Sequence, residues 1–388
     1  MTSAKNAKVE KDLKELTEFD DRGIKWAKQA KSQGQKVIGV MDSYLPEELV
    51  IAHGMFPWLV TGRTQVETPI ADLIHGGTKY CGHCNHVLEA IHHGEMDFLD
   101  GLIHTDWDDD RRRFGDVLDY WGKPGLAIEV HLPFAQSVTS SHWYQHELTR
   151  LSDVLAGFSG KAHQSAYIDQ NRLLDAIITV NKTRQLLRKL YELRKKEIPP
   201  LTGGEYLNIL LNSRVMPKEL FNTKLEALLP SLEKRQSSKV KRPIVLISSD
   251  FLHLAEYLDA VESCGCAIAM TDFDLDRIFV WKDVDPSGRD RMAALVDAYF
   301  TPSTDARFGE WDKQMERLIA QVKEFNIDGV IQLRQTWSRP REIRSPHFLK
   351  RLTEASIPAI SIEREYSMAN IGQIKTRVGA FLEMVAAR

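Results

Sequence analysis

Lys36-Val-Ile-Gly-Val-Met41 is a short apolar run, which is typical of a strand buried on both faces of a sheet. Residues 46–54 then fit a helix, because the segment begins at a proline, carries two glutamates in its first turn and ends at a glycine. Further apolar runs of strand length follow at residues 56–60, 100–104, 126–130, 243–248, 266–270, 329–333 and 358–362. Short strands that alternate with helices predict parallel α/β sheets.

The two groups of strands are separated by a long segment of different character. Apolar residues recur at helical spacing between residues 145 and 200, and a polar, cationic stretch follows at residues 234–242. We therefore predict a helical segment at residues 1–35, a first α/β domain at 36–145, a helical connector at 146–240 and a second α/β domain at 241–388. Ligands of such sheets bind beyond the carboxyl ends of the strands, so the loops of both halves are predicted to face a shared cleft.

The composition excludes several classes of protein. The 388 residues are 43% hydrophobic and 27% charged, and 51 Lys and Arg against 54 Asp and Glu leave a net charge of −3. This balance gives no basic field for nucleic acid or for an anionic membrane. The sequence contains no apolar run of membrane-spanning length, no apolar leader near residue 1 and no glycine-rich motif for a flavin, nicotinamide or ATP. With four cysteines and no disulfide framework, the expectation is a cytoplasmic protein.

The densest chemical motif is Tyr80-Cys-Gly-His-Cys-Asn-His86. Cys81 and Cys84 have the C-x-x-C spacing of a metal-binding or redox pair, and His83 and His86 could complete a mononuclear metal site. Two cysteines packed at the start of a helix are the alternative. A second cysteine pair, at residues 264 and 266, is expected to be buried and inert.

A charged stretch follows one of the predicted strands. Asp106-Trp-Asp-Asp-Asp110 and the three arginines 111–113 come after the strand at residues 100–104. The carboxyl end of a parallel strand is where ligand-binding loops lie, so the stretch is a candidate for function. A solvated cluster of charges is the alternative.

Several segments, taken in chain order, resemble a known family. They are Ser43-Tyr-Leu-Pro-Glu-Glu-Leu-Val50, Cys81, Asp97-Phe-Leu-Asp-Gly-Leu102, Asp108-Asp-Asp-Arg-Arg-Arg-Phe114, Asn181 with Arg184, Met216-Pro217, Asp328-Gly-Val-Ile331 and Gln373-Ile-Lys-Thr-Arg377. Their order and spacing are similar to those of the 2-hydroxyacyl-CoA dehydratase and benzoyl-CoA reductase family over nearly the whole chain.

The resemblance implies two flavodoxin-like, doubly wound parallel-sheet domains and a homologous second subunit. It also implies a [4Fe–4S] cluster between the domains, held by three cysteines from three loops. A separate ATP-dependent activator delivers one electron at low potential to such enzymes. The substrate is an acyl-CoA, which either loses its hydroxyl group through a ketyl radical or is reduced in its aromatic ring.

The same resemblance implies an atypical set of metal ligands. The first family cysteine corresponds to Cys81, the second to Asp108 or the neighbouring Trp107, and the third to Ser338, and Cys84 is an additional sulfur near the first. Carboxylate and serine oxygen are poor substitutes for thiolate at an iron–sulfur cluster. Three alternatives stay open: a cluster with unusual ligands, a cluster-poor partner subunit that shapes the acyl-CoA pocket, and a mononuclear metal enzyme that uses Cys81, Cys84 and nearby histidines.

Five residues are candidates for contact with the substrate. Ser43, Glu47 and Glu48 are predicted to lie near the thioester, where Ser43 could donate a hydrogen bond to a charged carbonyl. Helix capping by Ser43 and dipole pairing by the glutamates are the alternatives. Arg112 and Arg113 are predicted to neutralise CoA phosphate or cluster charge, or else to pair with the neighbouring aspartates.

Overall fold

Two four-stranded, all-parallel sheets form the framework of the protein. The computed structural model describes residues 11–63, 67–74, 80–159, 168–235, 241–300 and 310–387. The first sheet has the order β2-β1-β3-β4 and the second has the order β6-β5-β7-β8. The strands are β1 (Val37–Val40), β2 (Phe56–Leu59), β3 (Gly101–Thr105), β4 (Ala127–Val130), β5 (Ile244–Ser249), β6 (Ala267–Asp272), β7 (Gly329–Gln335) and β8 (Ala359–Arg364).

The equivalent strand order of the two sheets confirms the predicted fold class. In each sheet the first strand of the half lies between the second and the third, which is the doubly wound order of flavodoxin-like folds. Every predicted strand is present within two residues of its predicted limits. The central strands β1, β5 and β7 are buried along almost their whole length, which explains why they read as continuous apolar runs.

Helices cover both sheets and connect them. A helical stretch at residues 11–17 and a 3₁₀ turn (Asp20–Gly23) come first. The helices that follow are α1 (Ile24–Ser32), α2 (Glu47–Ala52), α3 (Pro69–Ile74), α4 (Gly82–His92), α5 (Asp109–Trp121), α6 (Val138–Phe158), α7 (Gln170–Arg194), α8 (Gly203–Val215), α9 (Lys218–Leu232), α10 (Ala255–Glu262), α11 (Asp274–Arg277), α12 (Arg291–Tyr299), α13 (Trp311–Glu324), α14 (Arg339–Glu354) and α15 (Ile371–Ala386).

Four long helices, α6 to α9, lie between the two sheets in the chain. The buried side of α7 includes Leu173, Ile177, Leu187 and Tyr191, as their helical spacing predicts. The predicted limits of the four segments stay predictions. Residues 1–10 of the first segment and 236–240 of the cationic stretch lie outside the described residues.

Two helix starts differ from the predicted ones. Helix α2 begins at Glu47 with Pro46 as its N-cap, so the alternative in which Ser43 caps this helix is wrong. The sequence of residues 84–93 also predicts a helix, and this helix begins two residues earlier, at Gly82, with Cys81 as its N-cap. Across the described ranges, none of the helices combines the length and the apolar composition that crossing a lipid bilayer takes.

Candidate functional site

The loops that carry the predicted ligands meet where the carboxyl ends of the two sheets face each other. The backbone N–H of Cys81 donates to Oδ2 of Asp110, at 2.7 Å. Its sulfur accepts a hydrogen bond from Nε2 of Gln335, at 3.1 Å, and Gln335 is the last residue of β7 in the second sheet. The loop of Cys81 therefore contacts the start of the segment that holds Asp108. It also contacts the end of β7, three residues before Ser338.

Cys81 and Cys84 lie on the first turn of α4. Cys81 is 8% exposed and Cys84 is fully buried. A hydrogen bond to Cys81 and the burial of the side chain both raise the pKa of the Cys84 thiol well above its usual value. Cys84 is therefore a protonated thiol that lies beside the more accessible sulfur of Cys81.

Asp108 is the N-cap of α5, and one oxygen of its carboxylate bonds to that helix. Its Oδ1 accepts a hydrogen bond from the backbone N–H of Arg111, at 2.8 Å. Burial raises the pKa of Asp108 to about 6, although the nearby Arg111 acts in the opposite direction. This arrangement satisfies a helix N-terminus and leaves a carboxylate that takes up a proton more readily than an exposed one.

Arg111 is the central cation of this region, and the sequence did not single it out. It is buried, and its Nε lies 2.7 Å from Oδ1 of Asp42, which follows β1. Burial by itself lowers the pKa of Arg111, but Asp42 and Asp108 outweigh that effect and hold the pKa well above its usual value. The only sequence signal for Arg111 was its position three residues after the N-cap, where its own N–H is the one that Asp108 binds.

Ser338 is turned towards its own domain. Its hydroxyl donates to Oδ1 of Asp250 at 3.0 Å, and the other oxygen of Asp250 accepts from the backbone N–H of Gln335 at 2.9 Å. Arg341 completes the group, with its Nε 3.0 Å from Oδ1 of Asp250. Ser338 thus belongs to a buried network at the carboxyl ends of β5 and β7, while the preceding Trp337 is 46% exposed with a φ of 66°.

These residues do not fit a cluster held by thiolates. Iron–sulfur clusters need soft, deprotonated sulfur donors. Of the four predicted ligands, Asp108 and Ser338 offer oxygens that are already hydrogen-bonded, and Cys84 is a buried thiol with a raised pKa. Within the described ranges, Cys81, Cys84 and Asp108 do not bring their ligand atoms within 4.8 Å of one another as a group. Cys81 alone combines a sulfur donor with some exposure.

Glu47 and Glu48 lie in buried ion pairs with the connector helices. Oε1 of Glu48 lies 2.7 Å from Nη2 of Arg184 on α7, and Oε2 accepts a hydrogen bond of 2.7 Å from the hydroxyl of Tyr299 on α12. Glu47 pairs with Arg214 on α8 at 3.2 Å and with Lys218 on α9 at 2.8 Å. The predicted catalytic role of the two glutamates stays a prediction, while the contacts seen in the structure link α2 to α7, α8, α9 and α12.

The remaining predicted residues differ in their accessibility. Ser43 is 9% exposed and follows β1. The side chain of Arg112 is 39% exposed and lies 3.4 Å from Oδ2 of Asp106. Arg113 forms an exposed pair with Asp116 on the next turn of α5, at 2.6 Å. Arg112 is therefore close to the carboxyl end of β3, and Arg113 is paired along its own helix.

An aromatic and imidazole cluster joins α4 to the second domain. The ring of His83 stacks on Phe251, with centroids 4.0 Å apart and planes 3° from parallel. Tyr366, which follows β8, lies 4.6 Å from both His86 and His253 between ring centroids. Burial lowers the pKa of His83 to about 3 and that of His86 to about 4. Both imidazoles are therefore neutral at physiological pH and act here as flat, largely apolar packing groups.

Three polar side chains lie together near the carboxyl ends of β3 and β4, and the sequence singled out only Asp106 among them. Asp106, Glu129 and His131 are the one set of potential metal ligands in the described residues whose ligand atoms all lie within 4.8 Å of one another. Nδ1 of His131 lies 3.2 Å from Glu129 and 3.4 Å from Asp106. Because Arg112 reaches the same oxygen of Asp106, the group is accounted for as a network of ion pairs.

Comparison with known proteins agrees with this architecture. The family model described as 2-hydroxyglutaryl-CoA dehydratase, D-component, matches residues 42–385. A benzoyl-CoA reductase subunit of Thauera aromatica is 25% identical over 95% of this chain and 96% of that protein. The (R)-2-hydroxyglutaryl-CoA dehydratase beta subunit of Acidaminococcus fermentans is 25% identical over 91% and 93% of the two chains. The (R)-phenyllactyl-CoA dehydratase beta subunit of Clostridium sporogenes is 23% identical over 96% and 97%.

Proposed function

Since the chain belongs to the 2-hydroxyglutaryl-CoA dehydratase D-component family, we propose that it is one subunit of an acyl-CoA dehydratase or aromatic acyl-CoA reductase complex. Its similar proteins carry the names of such subunits, which supports a homologous second subunit as its partner. We further propose that iron–sulfur chemistry belongs to that partner. This chain then serves as the cluster-poor subunit that shapes the acyl-CoA pocket.

One observation carries this proposal. The family resemblance implies cysteine ligands at three positions. At two of them this chain has side-chain oxygens that already form hydrogen bonds within the protein. Ser338 donates to Asp250, and Asp108 caps α5 through the N–H of Arg111. Freeing Oδ1 of Asp108 or the hydroxyl of Ser338 for a metal would break a hydrogen bond that involves a charged group, which costs about 1.5–3 kcal/mol for each.

The chain's own residues have distinct tasks in this proposal. Arg112 binds a phosphate of the acyl-CoA, because its guanidinium is half-exposed beside the carboxyl end of β3 and arginine suits the geometry of phosphate oxygens. Ser43, which follows β1, donates its hydroxyl to the thioester carbonyl and stabilises negative charge there. The packing of Tyr366 against His86 keeps the junction between the domains closed to water on one side.

In this proposal the electron enters through the cluster-bearing partner subunit and not through this chain. The ATP-dependent activator that the resemblance implies docks on the cluster-bearing subunit in this proposal. The chain described here contributes binding and orientation to the reaction.

Arg112 provides a direct test of substrate binding. Arg112→Ala is expected to raise the KM of the reconstituted complex for acyl-CoA about 5- to 10-fold, which corresponds to about 1–1.4 kcal/mol. Arg113→Ala removes the same charge one residue away, from a side chain that pairs with Asp116, and serves as the matched control. Equal effects of the two variants would mean that only the general charge of α5 matters, which would refute the assignment of Arg112.

Reconstitution tests the subunit role itself. The chain is combined anaerobically with its homologous subunit and the activator, and turnover of candidate acyl-CoA thioesters is measured with each component left out in turn. We expect turnover to require this chain, and Cys81→Ser to leave the iron content of the complex unchanged. Activity without this chain would contradict the proposal, and loss of iron in Cys81→Ser would assign the cluster to this chain instead.

A further inference from the structure

We infer that Cys81 and Cys84 are a reversible dithiol–disulfide pair, which exchanges with a low-molecular-weight disulfide. The inference does not depend on the proposed subunit role, because it concerns the two sulfurs of this chain alone. The cysteines lie on the same first turn of α4, and the carbonyl of Cys81 accepts the hydrogen bond of 3.2 Å from the N–H of Asn85 that opens the helix.

The backbone geometry allows the bond to form. Residues i and i+3 of a helical turn have Cα atoms about 5 Å apart. Disulfides occur at Cα separations of about 4.4–6.8 Å. Cys81 is the N-cap of α4 and Cys84 is its third helical residue, so both side chains start from the same turn. Closing the bond therefore needs rotation of the two side chains rather than movement of the helix.

The surroundings give the two sulfurs different roles. Cys81, at the N-cap, keeps 8% of its surface exposed and points towards Gln335 across the domain junction. It is the N-cap of an eleven-residue helix, the end at which the helix dipole is positive. Cys84 is fully buried directly behind it. A slightly exposed first cysteine with a fully buried second one is the arrangement of a nucleophile and a resolving thiol.

The thiol–disulfide exchange takes place in two steps. The sulfur of Cys81 attacks one sulfur of the small disulfide, whose S–S bond breaks and releases one thiol, and Cys81 is left in a mixed disulfide. The sulfur of Cys84 then attacks the sulfur of Cys81 and expels the second thiol. The two protons of the cysteines leave with the two released thiols, so the cysteine pair is oxidised by two electrons and the small disulfide is reduced.

The experiment uses the full-length chain with glutathione disulfide as the oxidant. After treatment the unfolded protein is expected to show two reactive thiols fewer than before. The peptide of residues 80–111, which trypsin releases with both cysteines, should be lighter by the mass of two hydrogen atoms. Dithiothreitol should reverse both changes. A wild-type chain that keeps all four thiols, or that carries only a stable glutathione adduct, would overturn the inference.

Variants separate this pair from the other cysteines. Cys84→Ser should trap a glutathione adduct on Cys81, and Cys81→Ser should show neither adduct nor disulfide, because Cys84 is buried. Cys264→Ser is the control, and it should form the disulfide as the wild type does. Loss of the disulfide in Cys264→Ser would overturn the assignment. Iron measured on the same sample identifies a failure of the proposed function separately, since bound iron would contradict that proposal whatever the thiol count.

Discussion

Replacing Glu48 with glutamine tests whether this residue holds the fold together or serves the reaction. The two carboxylate oxygens of Glu48 contact Arg184 and Tyr299, each at 2.7 Å, and the side chains of Glu48 and Arg184 are 0% and 1% exposed. The amide keeps the volume of the side chain but removes its charge. Arg184 is then left with neutral partners, which include Oδ1 of Asn181, the carbonyl oxygen of Phe279 and the hydroxyl of Tyr299.

The expected loss of stability follows from that uncompensated charge. Removing one partner of a buried ion pair costs about 3–5 kcal/mol, because the other charge stays buried without a counter-ion. Since glutamine fills the same space, no cavity adds to this cost. We therefore expect Glu48→Gln to lower the free energy of unfolding by about 3–5 kcal/mol, measured by urea denaturation with circular dichroism and tryptophan fluorescence.

An exposed pair on the same connector helix gives a matched control. Glu226 pairs with Lys182 of α7 at 2.6 Å, and both side chains are largely accessible to solvent. Glu226→Gln is expected to leave the urea midpoint unchanged, because exposed ion pairs add little to stability. If Glu48→Gln unfolded like the wild type and yet abolished turnover, the structural reasoning would be refuted and a catalytic role for Glu48 would be supported.

Two further predictions concern helix packing and histidine ionisation. Gly115→Ala should lower the free energy of unfolding by about 1–3 kcal/mol, because the new Cβ would lie 2.7 Å from Cε1 of the buried His104. Gly379→Ala, in a helix where the Cβ meets nothing within 4 Å, should instead stabilise by about 0.5–1 kcal/mol; equal effects of both substitutions in urea denaturation would contradict this account. In an NMR titration of selectively labelled histidines, His83 and His86 should stay neutral down to about pH 4, since their pKa values are lowered to about 3 and about 4. In the unfolded chain both histidines take up protons below about pH 6.5, whereas in the folded chain they stay neutral. Their burial therefore lowers the free energy of unfolding progressively as the pH falls from about 6.5 to about 4. Midpoints near pH 6.5 for these two resonances would be inconsistent with their burial between the domains.

The sheets could be predicted because each strand is encoded locally. Buried parallel strands are apolar along their length, and all eight appeared in the sequence as short apolar runs between helices. The family resemblance implied that the loops of Cys81 and Asp108 lie close together, and the hydrogen bond from the N–H of Cys81 to Asp110 agrees with this. The family resemblance, which the match over residues 42–385 confirms, implied two flavodoxin-like domains.

The partners of the site residues could not be predicted, because they come from distant parts of the chain. Glu48 is paired with Arg184, 136 residues later, and no local pattern connects the two positions. Ser338 forms a hydrogen bond with Asp250 because β7 and β5 are neighbouring strands, and the sequence did not specify that pairing. Arg111 was overlooked for a different reason, since three consecutive arginines are equivalent in sequence and only the helix geometry buries one of them.

Iron and acid-labile sulfide in the isolated chain, produced and purified anaerobically, test the central claim most directly. We predict less than stoichiometric amounts of both and no change in Cys81→Ser. The double variant Asp108→Cys, Ser338→Cys, which provides sulfur at all three positions, serves as the positive control for cluster assembly. A full complement of iron and sulfide in the wild-type chain, lost in Cys81→Ser, would contradict the claim that the iron–sulfur chemistry belongs to the partner subunit.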